Sequence, residues 1–382
     1  MPRHDVAIYM PHSAGFYDAA SLHAGGAERQ MMLLATTLAR RGVHVAHIVY
    51  PVRERVSGLD PHLTLVTRGR YSAKLPLVGR LVEGFHMVRA LWEADGRVVV
   101  VRTGTPVVGF LGIFAKLRRR RFVFSSANDS DFLADKYRGQ MLKRRTYRLG
   151  VRLADVVVVQ TQHQLDIART TFPRVRDYEV IPSFADIPEL PPPAADRREF
   201  LWIGRLIEHK QPLRFVDLAA EEPEARFVML PAVWKESAAP EREMHLRLLE
   251  AAERIPNLEV RERLPHPELM DLIAGSVAVV STSRLEGMPN IFLEAWARGV
   301  PVLTLDFDPD GLVARRGLGI AADGSWERFA DGARELWRQR NDREELTRRT
   351  RAYVEETHSP DAVAARWEEL LARLGARRDA AP

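Results

Sequence analysis

Val277-Ala278-Val279-Val280-Ser281-Thr282-Ser283-Arg284-Leu285-Glu286-Gly287-Met288-Pro289-Asn290-Ile291-Phe292-Leu293-Glu294-Ala295-Trp296-Ala297-Arg298-Gly299 is the stretch that decides the fold. Its first four residues are continuously apolar, as a strand covered on both faces requires. A polar loop bearing Glu286 and Gly287 follows. Pro289-Asn290 then open a helix predicted over 291–298, which Gly299 ends at the C′ position. A strand leading through a loop into a helix is the repeating unit of a parallel α/β sheet. The same stretch carries chemistry. Free amides at the helix start and the helix dipole favour an anion at the loop mouth. Glu286 in the loop and Glu294 about one turn into the helix would border one ligand, a carboxylate at each end. A ligand with a phosphate core and hydroxyl-rich ends explains that pairing, because carboxylates accept hydrogen bonds from hydroxyls while amides and cations hold phosphate. Either glutamate alone reads as a solvated loop acid or a favourable first-turn acid. The two together, in this setting, read as a binding site.

Outward from this stretch the alternation continues in both directions. Short β-branched runs predict strands at 6–10, 43–50, 63–67, 98–102, 122–125, 156–161 and 178–182, with helical spacing between most of them, as over 27–41 and 80–92. Val156-Val157-Val158-Val159 is the clearest buried parallel strand. The pattern breaks at Ile187-Pro188-Glu189-Leu190-Pro191-Pro192-Pro193, a stiff extended segment that reads as a linker. It restarts at 200–205 and continues at 226–230, 258–263, 277–281 and 300–305. The expected organisation is α/β: a doubly wound parallel-sheet domain over 1–184, a linker over 185–198, a second such domain over 199–358, and a helical end over 359–382. The tail from 325 to 374 reads as helical, and Ser359-Pro360-Asp361 is a helix start.

A chain of 382 residues exceeds what one core usually organises, and 46% hydrophobic with 28% charged residues is ordinary for a globular protein. With no cysteine, disulfides, thiolate metal sites and a cysteine nucleophile are excluded. The longest apolar stretch, 106–115, is half of the roughly 20 residues a membrane span needs, and no secretory h-region stands at the start. The expected location is therefore cytoplasmic, with a peripheral position at the inner membrane face as an alternative. The net charge is +5, and much of the basic excess is clustered at Arg118-Arg119-Arg120-Arg121, then Lys136, Arg138, Lys143, Arg144, Arg145, Arg148 and Arg152. A solvated basic face is the commonest reason for such runs. Attraction to an anionic membrane surface comes next, and nucleic acid last, because no known reader motif accompanies the charges.

Two further motifs carry chemistry. Trp202-Ile203-Gly204-Arg205-Leu206-Ile207-Glu208-His209-Lys210 follows the first strand after the linker, and two cations five residues apart beside Gly204 suit a diphosphate. Either cation alone reads as part of an exposed charged loop. Gly25-Gly26-Ala27-Glu28-Arg29 puts two glycines before a helix start, where the backbone can approach a phosphate or an acceptor; an ordinary turn is the alternative.

Glu286 and Glu294 in this sequence context resemble the signature of the retaining GT-B glycosyltransferases of family four, tightly from about 199 to 319 and loosely before that. The resemblance implies two Rossmann-like domains facing a cleft and a nucleoside diphosphate sugar, UDP- or GDP-linked, as donor co-substrate. It implies that Glu286 holds the transferred sugar and Glu294 the ribose. The amides of Asn290, Ile291 and Phe292 would serve the donor, and Gly25 and Gly26 would form the N-domain glycine loop. Arg205 and Lys210 would neutralise the departing diphosphate. It also implies that the last helix, 361–374, crosses back onto the N-terminal domain.

The chain departs from the family at three points. Many members carry an N-domain histidine near the donor sugar, whereas Ser125-Ser126-Ala127-Asn128-Asp129-Ser130-Asp131 has none. Asn128, Asp129, His12 and His23 are the acceptor-side candidates. The turn at Pro231-Ala232-Val233-Trp234 lacks the usual glycines, with Trp234 read as packing or base-adjacent. Asp306-Phe307-Asp308-Pro309-Asp310-Gly311 replaces a glycine pair and an acid. Asp129-Ser130-Asp131 and Asp306-Phe307-Asp308 have the D-x-D form that binds metal in another fold, yet no obligatory metal is expected. The expected activity is retaining transfer, of hexosyltransferase type, to a glycan, lipid-linked or small-molecule acceptor. The alternatives are a nucleotide-sugar epimerase and a non-catalytic nucleotide-sugar-binding protein.

Overall fold

The computed structural model describes residues 2–18, 25–54, 57–69, 76–102, 104–133, 136–189, 197–233, 237–262 and 264–376, with the side chains of 76–78 and 80 excepted. His23, Trp234 and the 190–196 part of the linker lie outside these. The chain divides into two compact units, residues 1–184 with 360–382 and residues 185–359.

In the first unit seven strands, β1 (His4–Tyr9), β2 (Val45–Val49), β3 (Leu63–Thr67), β4 (Gly96–Val101), β5 (Arg121–Ser125), β6 (Val156–Val159) and β7 (Tyr178–Val180), form one sheet. Its order is β3-β2-β1-β4-β5-β6-β7, and every pair is parallel. Alternate side chains feed two cores. Val6, Ile8, Val98 and Val100 face the helices Gly26–Arg40 and Pro360–Arg373. Ala7, Tyr9, Val99 and Val101 face the helices Pro76–Ala94, Val107–Leu117, Met141–Leu153 and Gln162–Thr171. Burial on both faces explains why Val6–Tyr9 of β1 and Val98–Val101 of β4 run without a charged residue. Helix Pro360–Arg373 buries Trp367, Leu370 and Leu371 in the same core as Leu34 and Leu38. Arg41 joins it to the first helix through Asp361 and Glu368, each at 2.9 Å.

The second unit holds β8 (Glu199–Gly204), β9 (Arg226–Pro231), β10 (Leu258–Val260), β11 (Ala278–Ser281), β12 (Val302–Thr304) and β13 (Gly319–Ala321). Their order, β10-β9-β8-β11-β12-β13, is again wholly parallel. Both units are thus the doubly wound α/β sheets expected from the sequence.

One local expectation needs correction and two gain sharper bounds. β13 has no counterpart among the predicted strands: it is three residues long, begins with a glycine and is only half-buried, so it lacks a β-branched run. The helical tail is three helices, Trp326–Arg338, Glu344–His358 and Pro360–Arg373. The helix predicted over 291–298 is Asn290–Ala297, with Arg298 as its cap. Gly299 follows at φ +70, and a Cβ there would run into the Thr347 side chain, so both conformation and space require glycine. Among the described residues no helix is long and apolar enough to cross a membrane.

Candidate active site

In the second sheet the chain leaves β8 toward β9 and β10, then returns to build β11 on the other side. Loops that leave two adjacent strands in opposite directions open a crevice at their carboxyl ends, the usual ligand position in such sheets. The two loops that the sequence singles out, 205–211 after β8 and 282–289 after β11, are the two at this point.

Hydrogen bonds tie the loops together. Arg284 N donates to the His209 carbonyl at 2.8 Å. Thr282 Oγ1 donates to the Lys210 carbonyl at 2.6 Å and accepts from Trp202 Nε1 at 3.0 Å. Gln211 Nε2 donates to the Thr282 carbonyl at 2.9 Å and also to Asp306. Gln211 has φ 45, a left-handed turn between the short 3-10 segment Glu208–Lys210 and the helix Pro212–Glu221, whose first residue is proline. The tied loops bring Lys210 Nζ onto Glu286 Oε1 as an ion pair. Glu286 is buried, with 9% of its side chain exposed. Burial holds the pKa of His209 below its usual value, and the nearby Glu286 charge opposes that shift, so His209 is neutral near pH 7.

Arg205 points elsewhere. Its side chain is more than half exposed, and Nη2 donates to Glu241 Oε1 at 2.6 Å, a buried acid on the helix Ala239–Arg254. Glu294 is half-buried in the helix Asn290–Ala297, and Arg298 donates to its carbonyl at 3.1 Å. No side chain caps that helix start. Of the amides assigned to the donor, Phe292 N already donates to the Pro289 carbonyl at 3.0 Å, while Asn290 and Ile291 occupy the first two helical positions. Gly287 lies buried in the loop beside Met288. At Gly204 an added Cβ would meet only the Trp202 ring, at 3.4 Å, so the second unit itself does not demand glycine there.

The remaining candidates belong to the first unit. Gly25 is the N-cap of helix Gly26–Arg40, and the Glu28 carboxylate folds over it where a Cβ would stand. His12, in the short 3-10 segment Pro11–Phe16 after β1, is exposed and meets the Tyr50 ring edge-on at 5.0 Å. Asn128 caps a short 3-10 turn by accepting from Ser130 N at 2.9 Å, and the Asp129 carboxylate is buried 3.7 Å from His163 Nε2. Both follow β5. Asp131 accepts from Ala127 N at 2.9 Å and from Lys136 Nζ at 2.8 Å.

Sequence reasoning missed several polar groups here. Arg102 follows β4 directly with only 5% exposure, and burial lowers its pKa to about 10 against the raising effect of Asp131 and Glu28. Glu241, Thr282 and Gln211 were also missed. Glu241 sits near a helix start, where an acid is commonplace, and the other two act through geometry that spacing does not encode.

One aspartate of each D-x-D triplet is held by backbone amides. Asp308 caps the helix Leu312–Arg316, accepting from Val313 N at 2.8 Å and Ala314 N at 3.1 Å. Asp131 accepts from amides and a lysine, as above. Among the described residues no group of three or more histidines and acids is arranged to hold a metal.

Comparison with solved structures defines the class. The sucrose-phosphate synthase from Thermosynechococcus elongatus is 18% identical, with 97% of this chain and 99% of that chain covered and a TM-score of 0.76. The Anabaena protein HepE in complex with UDP-glucose is 15% identical, with coverage of 96% and 99% and a TM-score of 0.66. Trehalose-6-phosphate synthase OtsA is 12% identical, with coverage of 97% and 98% and a TM-score of 0.73. The fold is therefore GT-B, that of a large class of glycosyltransferases. Residues 185–372 match the model of the glycosyl transferases group 1, and residues 25–183 match that of the glycosyl transferase 4-like domain. The chain belongs to the group 1 glycosyltransferases. Among curated proteins there is no match.

Proposed function

We propose that this chain is a retaining glycosyltransferase. It moves a sugar from a UDP- or GDP-linked donor to a glycan, lipid-linked or small-molecule acceptor in cell-surface polysaccharide or glycoconjugate synthesis. The observation that carries the reading is the Lys210–Glu286 ion pair at the carboxyl ends of the adjacent strands β8 and β11. A sugar diphosphate offers hydroxyls to the carboxylate and phosphate oxygens to the cation, so it replaces the pair's mutual contact with two matched ones. Arg205 can leave Glu241 for the same diphosphate, because its side chain is largely in water. Glu294 would hold the ribose, and the dipole at the start of the helix Asn290–Ala297 would favour negative charge. That HepE is described in complex with UDP-glucose supports a nucleotide-sugar donor.

In this reading the developing charge on the departing diphosphate is stabilised by Arg205 and Lys210, and attack occurs on the face that the diphosphate leaves. The diphosphate oxygen takes the acceptor proton, and because Arg205 and Lys210 carry the charge on the departing group, the reading calls for no obligatory metal. Acceptor contacts would come from the first unit, with His12, Gly25, Gly26, Asn128 and Asp129 as the candidates. The test is product analysis with UDP- and GDP-sugars, with and without acceptor. Transfer with the anomeric configuration kept is expected. Full activity in both Glu286→Gln and Lys210→Ala would overturn the site, inverted product would overturn the retaining mechanism, and acceptor-free conversion of the donor would indicate an epimerase.

A further inference from the structure

The four helices on one face of the first sheet share a core through their inner sides, but three of them also expose large apolar side chains outward. Helix Val107–Leu117 buries Val108, Leu111 and Ala115 and presents Phe110, Ile113 and Leu117 to solvent, with Leu117 79% exposed. Each set follows three- and four-residue spacing, so both stripes run the length of the helix. Helix Pro76–Ala94 repeats the arrangement, burying Met87, Ala90 and Leu91 while exposing Phe85 and Trp92. Helix Met141–Leu153 exposes Met141 and Leu142.

These helices lie side by side. Gly109 and Gly150 meet where a Cβ on either would overlap the neighbouring helix, so Val107–Leu117 and Met141–Leu153 pack at backbone distance. Arg118, just after the first of these helices, stacks 3.7 Å from the Trp92 ring centroid and joins the third. On the opposite face of the sheet, the described residues of helices Gly26–Arg40 and Pro360–Arg373 expose no large apolar side chain. Single exposed apolar residues are normal on any protein; a patch spread over three adjacent helices is not.

Charge identifies the partner. Helix Met141–Leu153 contains Lys143, Arg144, Arg145, Arg148 and Arg152 and no acid. Arg148 has Arg144 and Arg152 as charged neighbours that, after burial, hold its pKa down. An apolar layer beside an acid-free run of cations matches an interface of acyl chains beneath anionic headgroups. A second copy of the chain would set these cations against themselves in any two-fold contact. We propose that this face of the first unit docks on an anionic lipid bilayer, with Phe110 and Leu117 entering the acyl boundary and Arg144 and Arg145 engaging lipid phosphates. Docking there would hold the first unit at the surface where a lipid-linked acceptor is found.

Sedimentation of the full chain with phosphatidylcholine vesicles, with and without phosphatidylglycerol, tests this without any sugar substrate, so its outcome is independent of the transferase reading. Binding is expected with phosphatidylglycerol and is weakened by salt. Paired Phe110→Ser and Leu117→Ser changes should reduce that binding at least about tenfold. Paired Arg144→Gln and Arg145→Gln changes should reduce it by a similar factor, and both variants should keep the wild-type circular dichroism because the removed groups are exposed. Trp92 fluorescence should shift to the blue on vesicle addition, read against Trp92→Phe. Equal binding to both vesicle types, no binding, or a dimer that the serine changes dissolve while vesicle binding is absent would each overturn the proposal.

Discussion

Lys210 and Glu286, 76 residues apart in sequence, form an ion pair that closes the gap between the loops after β8 and β11. The lysine is held by its backbone carbonyl to Thr282, and Thr282 is held by Trp202 from the middle of β8. The pair is thus positioned by a strand, a loop and a relay of neutral hydrogen bonds rather than by its own attraction alone.

Removing the cation leaves a buried carboxylate without its partner. Lys210→Ala is expected to lower unfolding stability by about 1–3 kcal/mol and to lower turnover by roughly a hundredfold or more. Glu286→Gln keeps a hydrogen-bond acceptor opposite the lysine and should cost less stability. In the double variant the stability losses should fall short of their sum, since each change removes the same contact. Urea unfolding of the three proteins measures this, and strict additivity would show that the pair contributes no coupling.

Two glycines separate ligand space from fold space. Gly204→Ala should change stability by no more than about 0.5 kcal/mol, because its Cβ meets only the Trp202 ring at 3.4 Å. If the donor approaches this backbone, the same change weakens UDP or GDP binding, which titration calorimetry reads directly. Gly319 is the contrast: φ is +154 and a Cβ would overlap the Val302 carbonyl within the sheet. Gly319→Ala should destabilise by about 2 kcal/mol or more.

Transfer activity should be unchanged by EDTA. Asp308 is committed to the amides of Val313 and Ala314, and Asp131 to the amide of Ala127 and to Lys136. Loss of activity in EDTA with recovery on adding magnesium or manganese would require a metal in the reaction.

What the sequence revealed follows from where its signals are strong. β6, four consecutive valines, is buried at every position, and that alone marks a sheet covered on both faces. β13 gave no such signal, since Gly319-Ile320-Ala321 offers one β-branched residue and joins the sheet only through its register with β12. At the site, residue types were legible but their meetings were not. Lys210 faces Glu286 because β8 neighbours β11, and strand order is a tertiary outcome that periodicity does not encode. The tie from Arg205 to Glu241 depends likewise on how the helix Ala239–Arg254 returns to β8. The basic runs were plain in the sequence, whereas the outward stripe of Phe110, Ile113 and Leu117 emerged only once the helix had a buried side.

A buried histidine sets one limb of the pH–stability curve. His47 on β2 is fully buried, with Nδ1 2.8 Å from Tyr17 Oη, and burial pushes its pKa down to about 3. In the unfolded chain the same imidazole titrates near 6.5. Between these values the unfolded state holds a proton that the folded state does not, so stability rises with pH across the window. The contribution is fully present above pH 6.5 and is lost as pH falls toward 3, at up to about 1.4 kcal/mol per pH unit. Urea midpoints of the wild-type protein should therefore drop between pH 7 and pH 5. His47→Gln should be less stable at pH 7, having lost the fit to Tyr17, yet its midpoint should fall less steeply with acid. Parallel pH curves for the two proteins would show that another group, not His47, carries the slope.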